Sequence, residues 1–239
     1  MTAGREPAVE VSVVLPIHRN RATLEELHRR LSTALTAASV SYELIFVDDA
    51  CPEDSGRAIE DLAARDPRVR GLHLARNVGQ HRAAWLGLSA ARGEWSIVMD
   101  ADLQDAPEAI PALLAAAPSG VDAILAARRG RYEGPVRLLT SRVFKLLRER
   151  LTGIPRDAGM FLALRRPLVQ SILRHDVPRP FLTTMVGLSG RRFITVPVER
   201  VRRPQGRSAY SSVERLATAV RELTFAFRYR HRLKRSSAE

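Results

Sequence analysis

The chain is poor in the residues that would give it rigid cross-links or a membrane span. It has one cysteine, Cys51, among 239 residues, two lysines, Lys145 and Lys234, and only 5% aromatic residues. A single cysteine excludes an internal disulfide and a thiolate metal cluster, and it fits a reducing compartment. No stretch reaches the roughly 18 apolar residues that a bilayer-spanning helix needs. The segment Met1–Glu10 carries no apolar signal region. The expectation is a cytoplasmic chain whose membrane contact, if it has one, is peripheral and on the cytosolic face. A Gly-x-Gly-x-x-Gly turn after the first apolar run is also missing, which removes the dinucleotide-binding fingerprint.

Hydrophobic residues make up 45%, which argues against a disordered chain. The formal net charge is +12, and all but two of its 38 basic residues are arginine. A charge of this size points to an anionic partner: phosphates, a membrane surface or nucleic acid. Arginine suits phosphate because its planar fork donates two parallel hydrogen bonds.

Periodicity predicts strand and helix in alternation through the first half. Strands are expected at 11–17, 42–47, 69–74, 95–99 and 121–127. Helices are expected at 22–38, 53–65, 79–91 and 107–116. Thr23 is the expected cap of the first helix, with Glu25 and Glu26 at its positive end. Alternation of this kind gives an α/β fold with a mostly parallel sheet and helices on both faces. The second half reads as a basic amphipathic helix over 136–151, strands at 159–164 and 193–198, and a last helix over 211–227. The 136–151 helix carries Leu139, Val143, Leu146, Leu147 and Leu151 as an apolar stripe. Pro178, Pro180, Pro197 and Pro204 interrupt this half, and the basic tail from Arg228 to Lys234 is expected to fray at its end.

Ligands of open α/β sheets sit beyond the carboxyl ends of the strands. There the sequence places His18 after the first strand, Asp48 and Asp49 after the second, and the run Asp100-Ala101-Asp102-Leu103-Gln104-Asp105 after the fourth. Two carboxylates one residue apart at a strand exit repel unless positive charge stands beside them. A hard divalent cation such as Mg2+ or Mn2+ meets that need with few protein ligands when substrate phosphates complete its shell. A solvated acidic turn is the plainer alternative for the run, and a helix cap is the plainer alternative for Asp48-Asp49. Arg76, with Asn77 and Gly79, follows the third strand and is a candidate for pairing with phosphate or with these acids.

The segments Val13-Val14-Leu15-Pro16-Ile17-His18, Phe46-Val47-Asp48-Asp49, Arg76-Asn77-Val78-Gly79-Gln80 and Val98-Met99-Asp100-Ala101-Asp102-Leu103-Gln104-Asp105 occur in order. Together they resemble family 2 glycosyltransferases, above all the branch of dolichol- and polyprenyl-phosphate sugar synthases. The resemblance runs from about residue 11 to 210. It implies a GT-A (Rossmann-like) fold with a C-terminal helical acceptor region, forming one domain. In that domain about 8–130 bind the nucleotide sugar and about 131–239 bind the acceptor. It implies an inverting, metal-dependent transfer of a sugar from a nucleotide-diphosphate donor to a polyprenyl phosphate. Carried over residue by residue, Asp102 holds the metal with Gln104. Asp100 and Ala101 lie at the ribose or the metal's outer ligands. Asp48 or Asp49 meets the nucleotide, with Pro16, His18, Asn20 and Arg76 around it. Arg128, Arg142, Arg203 and Ser208 meet the acceptor phosphate, the last two on a loop of the family's Arg-x-x-Gly-x-Ser type.

The chain departs from the family where Tyr-Asn-Glu is replaced by His18-Arg19-Asn20, which puts the identity of the base in question. The paired membrane helices of the bactoprenol enzymes have no counterpart in the sequence. A soluble hydroxyl acceptor is the alternative, and it would need a general base, for which Asp157 is the candidate. The helix at 136–151 and the tail suit an anionic membrane surface, and self-association is left open. Nucleic acid is not expected as a partner, because the cations are dispersed, no reader motif occurs and acids line the ligand edge.

Overall fold

The computed structural model describes residues 9–129, 135–175, 177–200 and 212–236, with side chains described for 9–127, 144–175, 177–200 and 217–231. The elements in chain order are β1 (Val11–Ile17), α1 (Leu24–Ala37), β2 (Tyr42–Asp48), α2 (Ser55–Arg65), β3 (Val69–His73), α3 (Gln80–Ala90), β4 (Trp95–Val98), α4 (Ile110–Ala115), β5 (Ala123–Arg129), α5 (Pro135–Thr152), β6 (Ala158–Arg165), α6 (Arg166–Leu173), α7 (Leu182–Leu188), β7 (Phe193–Glu199) and α8 (Ser212–Ser236). The strands form one sheet in the order β3-β2-β1-β4-β6-β5-β7, in which β6 alone runs antiparallel to its neighbours.

β1 and β2 are buried along their whole length because helices cover both faces. The period of two sends Val13, Leu15 and Ile17 to one layer, where Leu24, Leu27, Leu31 and Leu35 of α1 meet them. It sends Val14, Ile45 and Val47 to the other layer, with Ala83, Ala84 and Leu88 of α3 and the apolar faces of α6 and α7. At Gly87 the backbone of α3 lies so close to the sheet that a Cβ would overlap the side chains of Val14 and Val47.

Several local expectations are corrected. Thr23 precedes α1 but makes no cap hydrogen bond. Its hydroxyl instead donates to the carbonyls of Asn20 and Ala101, at 2.9 and 2.6 Å. Helix 107–116 divides into a 3-10 turn at Pro107–Ala109 followed by α4. Two helices escape the sequence pattern. α6 starts with a proline in its first turn, a position where the missing N–H has no partner to lose, and α7 is a single buried segment after Phe181. Pro197 does not break β7, because β7 is the edge strand beside β5 and one side needs no donor. The tail, expected to fray at its end, is helical throughout: α8 runs to Ser236, and Ala226 and Tyr229 on it are 2% and 4% exposed.

Polar groups inside the fold are tied to specific partners. At the amino edge of the sheet, the Glu43 carboxylate accepts from Ser12 Oγ at 2.6 Å, Arg92 N at 2.7 Å and Arg70 at 2.8 Å. Burial works to raise its pKa, and these donors outweigh burial and lower it. In the second half, Arg148 of α5 is buried. It donates to the carbonyls of Pro155 and Ala158 at 2.9 and 3.2 Å. Glu222 of α8 accepts from Thr184 at 2.9 Å, and burial raises its pKa. The predicted polar face of the helix at 136–151 therefore includes a cation turned into the protein, and α5 packs against α7 and α8.

Candidate active site

β1 lies between β2 and β4, so the chain turns to opposite sides of β1 after its first and third strands. A crevice opens at such a reversal, beyond the carboxyl ends of the strands. Ile17 is in register with Asp48, and Val14 with Val98, which puts Asp48 and Asp100 on either side of the end of β1. Because β6 is antiparallel, its start, not its end, reaches the same edge, and Asp157 stands just before it, exposed. Arg128 is in register with Val198 near the ends of β5 and β7. All seven strands thus deliver a charged or polar residue to one edge: His18, Asp48, His73, Asp100, Arg128, Asp157 and Arg200.

The two acids after β2 do different things. Asp49 is 1% exposed, and its carboxylate accepts from Val78 N at 2.6 Å and Gly79 N at 2.9 Å. It fills the N-terminus of α3, where the helix dipole and unpaired N–H groups favour negative charge. Gly79 takes φ 87° there, in the region open to glycine. Of the two acids expected at the nucleotide, Asp49 is thus held by the backbone of the 78–79 turn. Asp48 accepts from Cys51 N at 2.9 Å, and its other oxygen stands 3.6 Å from His73 Nδ1. Cys51 is a packing residue in this loop, its sulfur accepting from Arg19 N at 3.1 Å and Ser55 Oγ at 3.0 Å.

His18 Nδ1 stands 3.2 Å from the Asp49 carbonyl and 3.1 Å from Asn77 Nδ2, so its tautomer decides which of the two it serves. Asn20 is half-buried and turns the chain into α1, its carbonyl accepting from Thr23 N. Pro16 is buried in β1 opposite Val47, and Arg76 is exposed beyond β3.

The loop after β4 is the centre of the edge. Gln80 of α3 donates to Asp100. Asp102 is 7% exposed and accepts from Gln104 N at 3.1 Å. Leu103 between them adopts φ 58°, a strained conformation for a branched residue, which makes the loop tight enough for that bond. The Ala101 carbonyl, taken by Thr23, ties the loop to the start of α1. Asp105 is fully buried and bridges Arg200, whose Nε is 3.6 Å from Asp105 Oδ1 and whose Nη2 is 3.9 Å from Asp100.

Arg200, Asp105 and Gln80 were given no role from sequence. Arg200 supplies positive charge that the sequence reading sought from a metal ion or from Arg76. An arginine immediately after a predicted strand at the ligand edge was the available signal. Arg203 and Ser208 lie outside the described residues. So do the side chains of Arg128 and Arg142, but Arg200 shows that the chain enters 201–211 from beside the acidic loop.

Among the described residues no three His, Cys, Asp or Glu side chains converge as a complete metal site. The donors present are hard carboxylate and amide oxygens, from Asp102, Gln104 and Asp100. They fit a Mg2+- or Mn2+-type ion whose remaining ligands come from a diphosphate. Just inside the edge, His81 packs on the Phe181 ring with centroids 5.0 Å apart, and its Nδ1 is enclosed without a partner. Burial pushes its pKa down to about 4, so the ring is neutral at pH 7.

An open, helix-covered sheet with carboxylates gathered at its strand-order reversal is an α/β fold of the GT-A type. The chain belongs to glycosyl transferase family 2, whose family model matches residues 12–173. It is 35% identical over 208 residues to the undecaprenyl-phosphate 4-deoxy-4-formamido-L-arabinose transferase of Salmonella choleraesuis (strain SC-B67), an alignment covering 86% of this chain and 64% of that protein. The corresponding Salmonella paratyphi B (strain ATCC BAA-1250 / SPB7) transferase is 34% identical with the same coverage. The chain therefore spans just under two thirds of the length of these curated relatives. In fold it is similar to glucosyl-3-phosphoglycerate synthase from Mycobacterium tuberculosis in complex with Mn2+, UDP-glucose and phosphoglyceric acid, with TM-score 0.66, 20% identity, and coverage of 93% of this chain and 79% of that one. It is also similar to a mannosyltransferase from Pyrobaculum calidifontis in complex with GDP-mannose and Mn2+, with TM-score 0.62, 21% identity, and coverage of 90% of this chain and 65% of that one.

Proposed function

We propose that this protein transfers a sugar, with inversion, from a nucleoside-diphosphate donor to the phosphate of a polyprenyl phosphate, with a divalent cation held by Asp102 and Gln104. The observation that carries this reading is the gathering of Asp48, Asp100, Asp102 and Gln104 at the strand ends on either side of β1, with Arg200 on the same edge. The names of the Salmonella relatives support the lipid acceptor, and the Mn2+ and nucleotide-sugar complexes support the donor and the metal.

In this reading Asp48 accepts hydrogen bonds from the base, and Asp100, held by Gln80 and faced by Arg200, meets the ribose or the ion's outer ligands. A divalent cation bound here supplies positive charge against the charge that grows on the departing diphosphate. The acceptor oxygen attacks the anomeric carbon from the face opposite the diphosphate, and the carbon–oxygen bond to the diphosphate breaks. A phosphate monoester with a second pKa near ~6 is already a nucleophile at neutral pH, so no protein base is required. Arg128, Arg142 and Arg203, with Ser208, are proposed to hold it.

The exposed position of Asp157 on the same edge favours one second reading, transfer to a soluble hydroxyl with Asp157 as the base. The deciding experiment offers UDP-, GDP- and dTDP-sugars with Mg2+ or Mn2+, with and without a polyprenyl phosphate, and follows nucleotide release. Release stimulated by the lipid is expected. Release stimulated only by soluble glycans selects the second reading, and undiminished turnover by a folded Asp102→Asn protein refutes the metal assignment.

A further inference from the structure

α8 has two apolar faces, and among the described residues only one of them is covered. Glu222, Ala226 and Tyr229 point into the protein, at 8%, 2% and 4% exposure. On the other side Val220 and Phe227 are 56% and 60% exposed, the largest exposures among the big hydrophobic side chains described. Thr224 stands between them at helical spacing. Its hydroxyl donates to the Val220 carbonyl at 2.9 Å, so it adds a methyl group and not a free hydroxyl to the seam. A helix face turned only to water has no reason to carry this line of apolar groups.

Among the described residues, the exposed charge beside the seam has one sign. Arg221, Arg228 and Arg230 are exposed beside it. Between Ala217 and His231 the only acid is Glu222, which is buried. Against the seam, His231 packs edge-on to Phe227 with centroids 4.8 Å apart. It also lines a cavity of about 620 Å³ floored by Val177, Pro178, Phe225 and Tyr229 and rimmed by Arg179 and Arg228. An apolar seam, a cationic border and an apolar slot with a cationic rim therefore form one continuous surface.

We infer that this surface, made by α8 and the 177–179 segment, docks flat on an anionic phospholipid bilayer, with Phe227 and Val220 entering the headgroup–acyl boundary and the arginines on the lipid phosphates. This is the chemistry of an interfacial amphipathic helix. A second copy of the chain is a poor occupant, since it would bring arginine against arginine on a protein of net charge +12. Nucleic acid would satisfy the arginines and leave Val220 and Thr224 without an apolar partner. The docking site is separate from the acidic edge but linked to it. The rings of Tyr229, Phe225, Phe181 and His81 follow one another at 5.4, 5.5 and 5.0 Å, and His81 adjoins Gln80, the residue that holds Asp100. Docked this way, the bilayer lies one file of aromatic rings from the proposed site of transfer. The inference deepens the lipid-acceptor reading by naming the surface that presents the membrane, but its evidence is independent of that reading.

The test is flotation of the whole protein with vesicles of phosphatidylcholine alone, or with 30% phosphatidylglycerol, containing no polyprenyl phosphate. Binding to the anionic vesicles is expected, and it should weaken as salt rises. An arginine near such a surface contributes about fivefold, so Arg221→Gln/Arg228→Gln/Arg230→Gln should weaken binding on the order of 100-fold. Val220→Ser/Phe227→Ser should weaken it at unchanged charge. A Phe227→Trp protein should show a blue shift quenched by brominated lipid tails. These side chains are on the surface, and unchanged thermal unfolding confirms that each variant is folded. No binding by the parent protein, or full binding by the Ser double variant without quenching of the tryptophan, overturns the inference. So does a DNA duplex bound as tightly as the vesicles. Donor turnover is measured separately, so a parent protein that binds no anionic vesicles yet still releases nucleotide refutes the docking surface and leaves the transferase reading standing.

Discussion

Acidification from pH 7 to pH 5 should weaken the fold through a single histidine beside the proposed active site. His81 sits in the first turn of α3, against Phe181, with an enclosed and unpartnered Nδ1. Burial lowers its pKa from 6.5 to about 4. The unfolded chain therefore binds a proton in a range where the folded protein refuses it, and stability rises with pH across that range. The contribution is complete above pH 6.5 and is lost as pH falls from 6.5 to about 4. By pH 5 roughly one and a half pKa units of this gap have been swept, each about 1.4 kcal/mol, so about 2 kcal/mol is lost. In a domain of this size that lowers Tm by about 4–8 °C. Glu222 works the other way: burial raises its pKa, so it costs stability as pH rises. It is present in the parent and in a His81→Gln variant alike. Urea unfolding of both proteins at pH 7 and pH 5 isolates the histidine as the difference in their pH dependence. Equal pH dependence of the two would show that the ring can accept a proton where it stands, and the argument from its enclosure would be wrong.

Four other outcomes follow from the geometry. Gly87→Ala should destabilise by about 1–3 kcal/mol, because its methyl must displace Val14 and Val47, and Val14→Ala in the same chain should recover part of the loss in a thermal melt. Asp49→Ala leaves two backbone donors of the 78–79 turn without their acceptor, a cost of about 1–3 kcal/mol each, and it should weaken donor binding by calorimetry because Gln80 moves with that turn. Glu43→Gln disturbs a buried acceptor at the opposite edge of the sheet, so it should lower Tm while leaving the turnover of the folded fraction unchanged. Arg200→Gln removes the cation facing Asp100 and Asp105, and it should change the metal-ion concentration needed for half-maximal nucleotide release.

The features that the sequence disclosed are those controlled by short-range pattern. Leu24, Leu27, Leu31 and Leu35 at helical spacing, and the alternation in β1 and β2, define the two layers. Acids at strand exits mark the edge where the ligand is proposed to bind. What sequence could not separate is Asp48 from Asp49. They are neighbours of the same chemistry, and Asp49 is distinguished only by the return of residues 78 and 79, some thirty positions later. Thr23 misled for a related reason: a hydroxyl before a helix usually caps it by accepting from an N–H, but this one is turned to donate to the carbonyl of residue 101, some eighty positions later. α7 was missed because its turns are buried among other helices and so show no contrast between faces. Arg200 belonged to a strand whose partners could be known only from the sheet order.

That sheet order also explains how acids can crowd one edge of a protein with an excess of 12 positive charges. Asp49 is neutralised by the start of α3, Asp105 by Arg200, and Asp100 is held between Gln80 and Arg200. These partners come from α3 and from the end of β7, two elements that also bound the aromatic file and the 201–211 segment. The acids are therefore held in place by groups that connect to the rest of the proposed mechanism, not by solvent. A ligand that draws Asp100 toward itself must act against Gln80 and Arg200 together. Donor binding should therefore be felt first in the α3 turn and at the root of the chain's 201–211 segment, and hydrogen exchange at Val78, Gly79 and Arg200 is where that coupling is open to measurement.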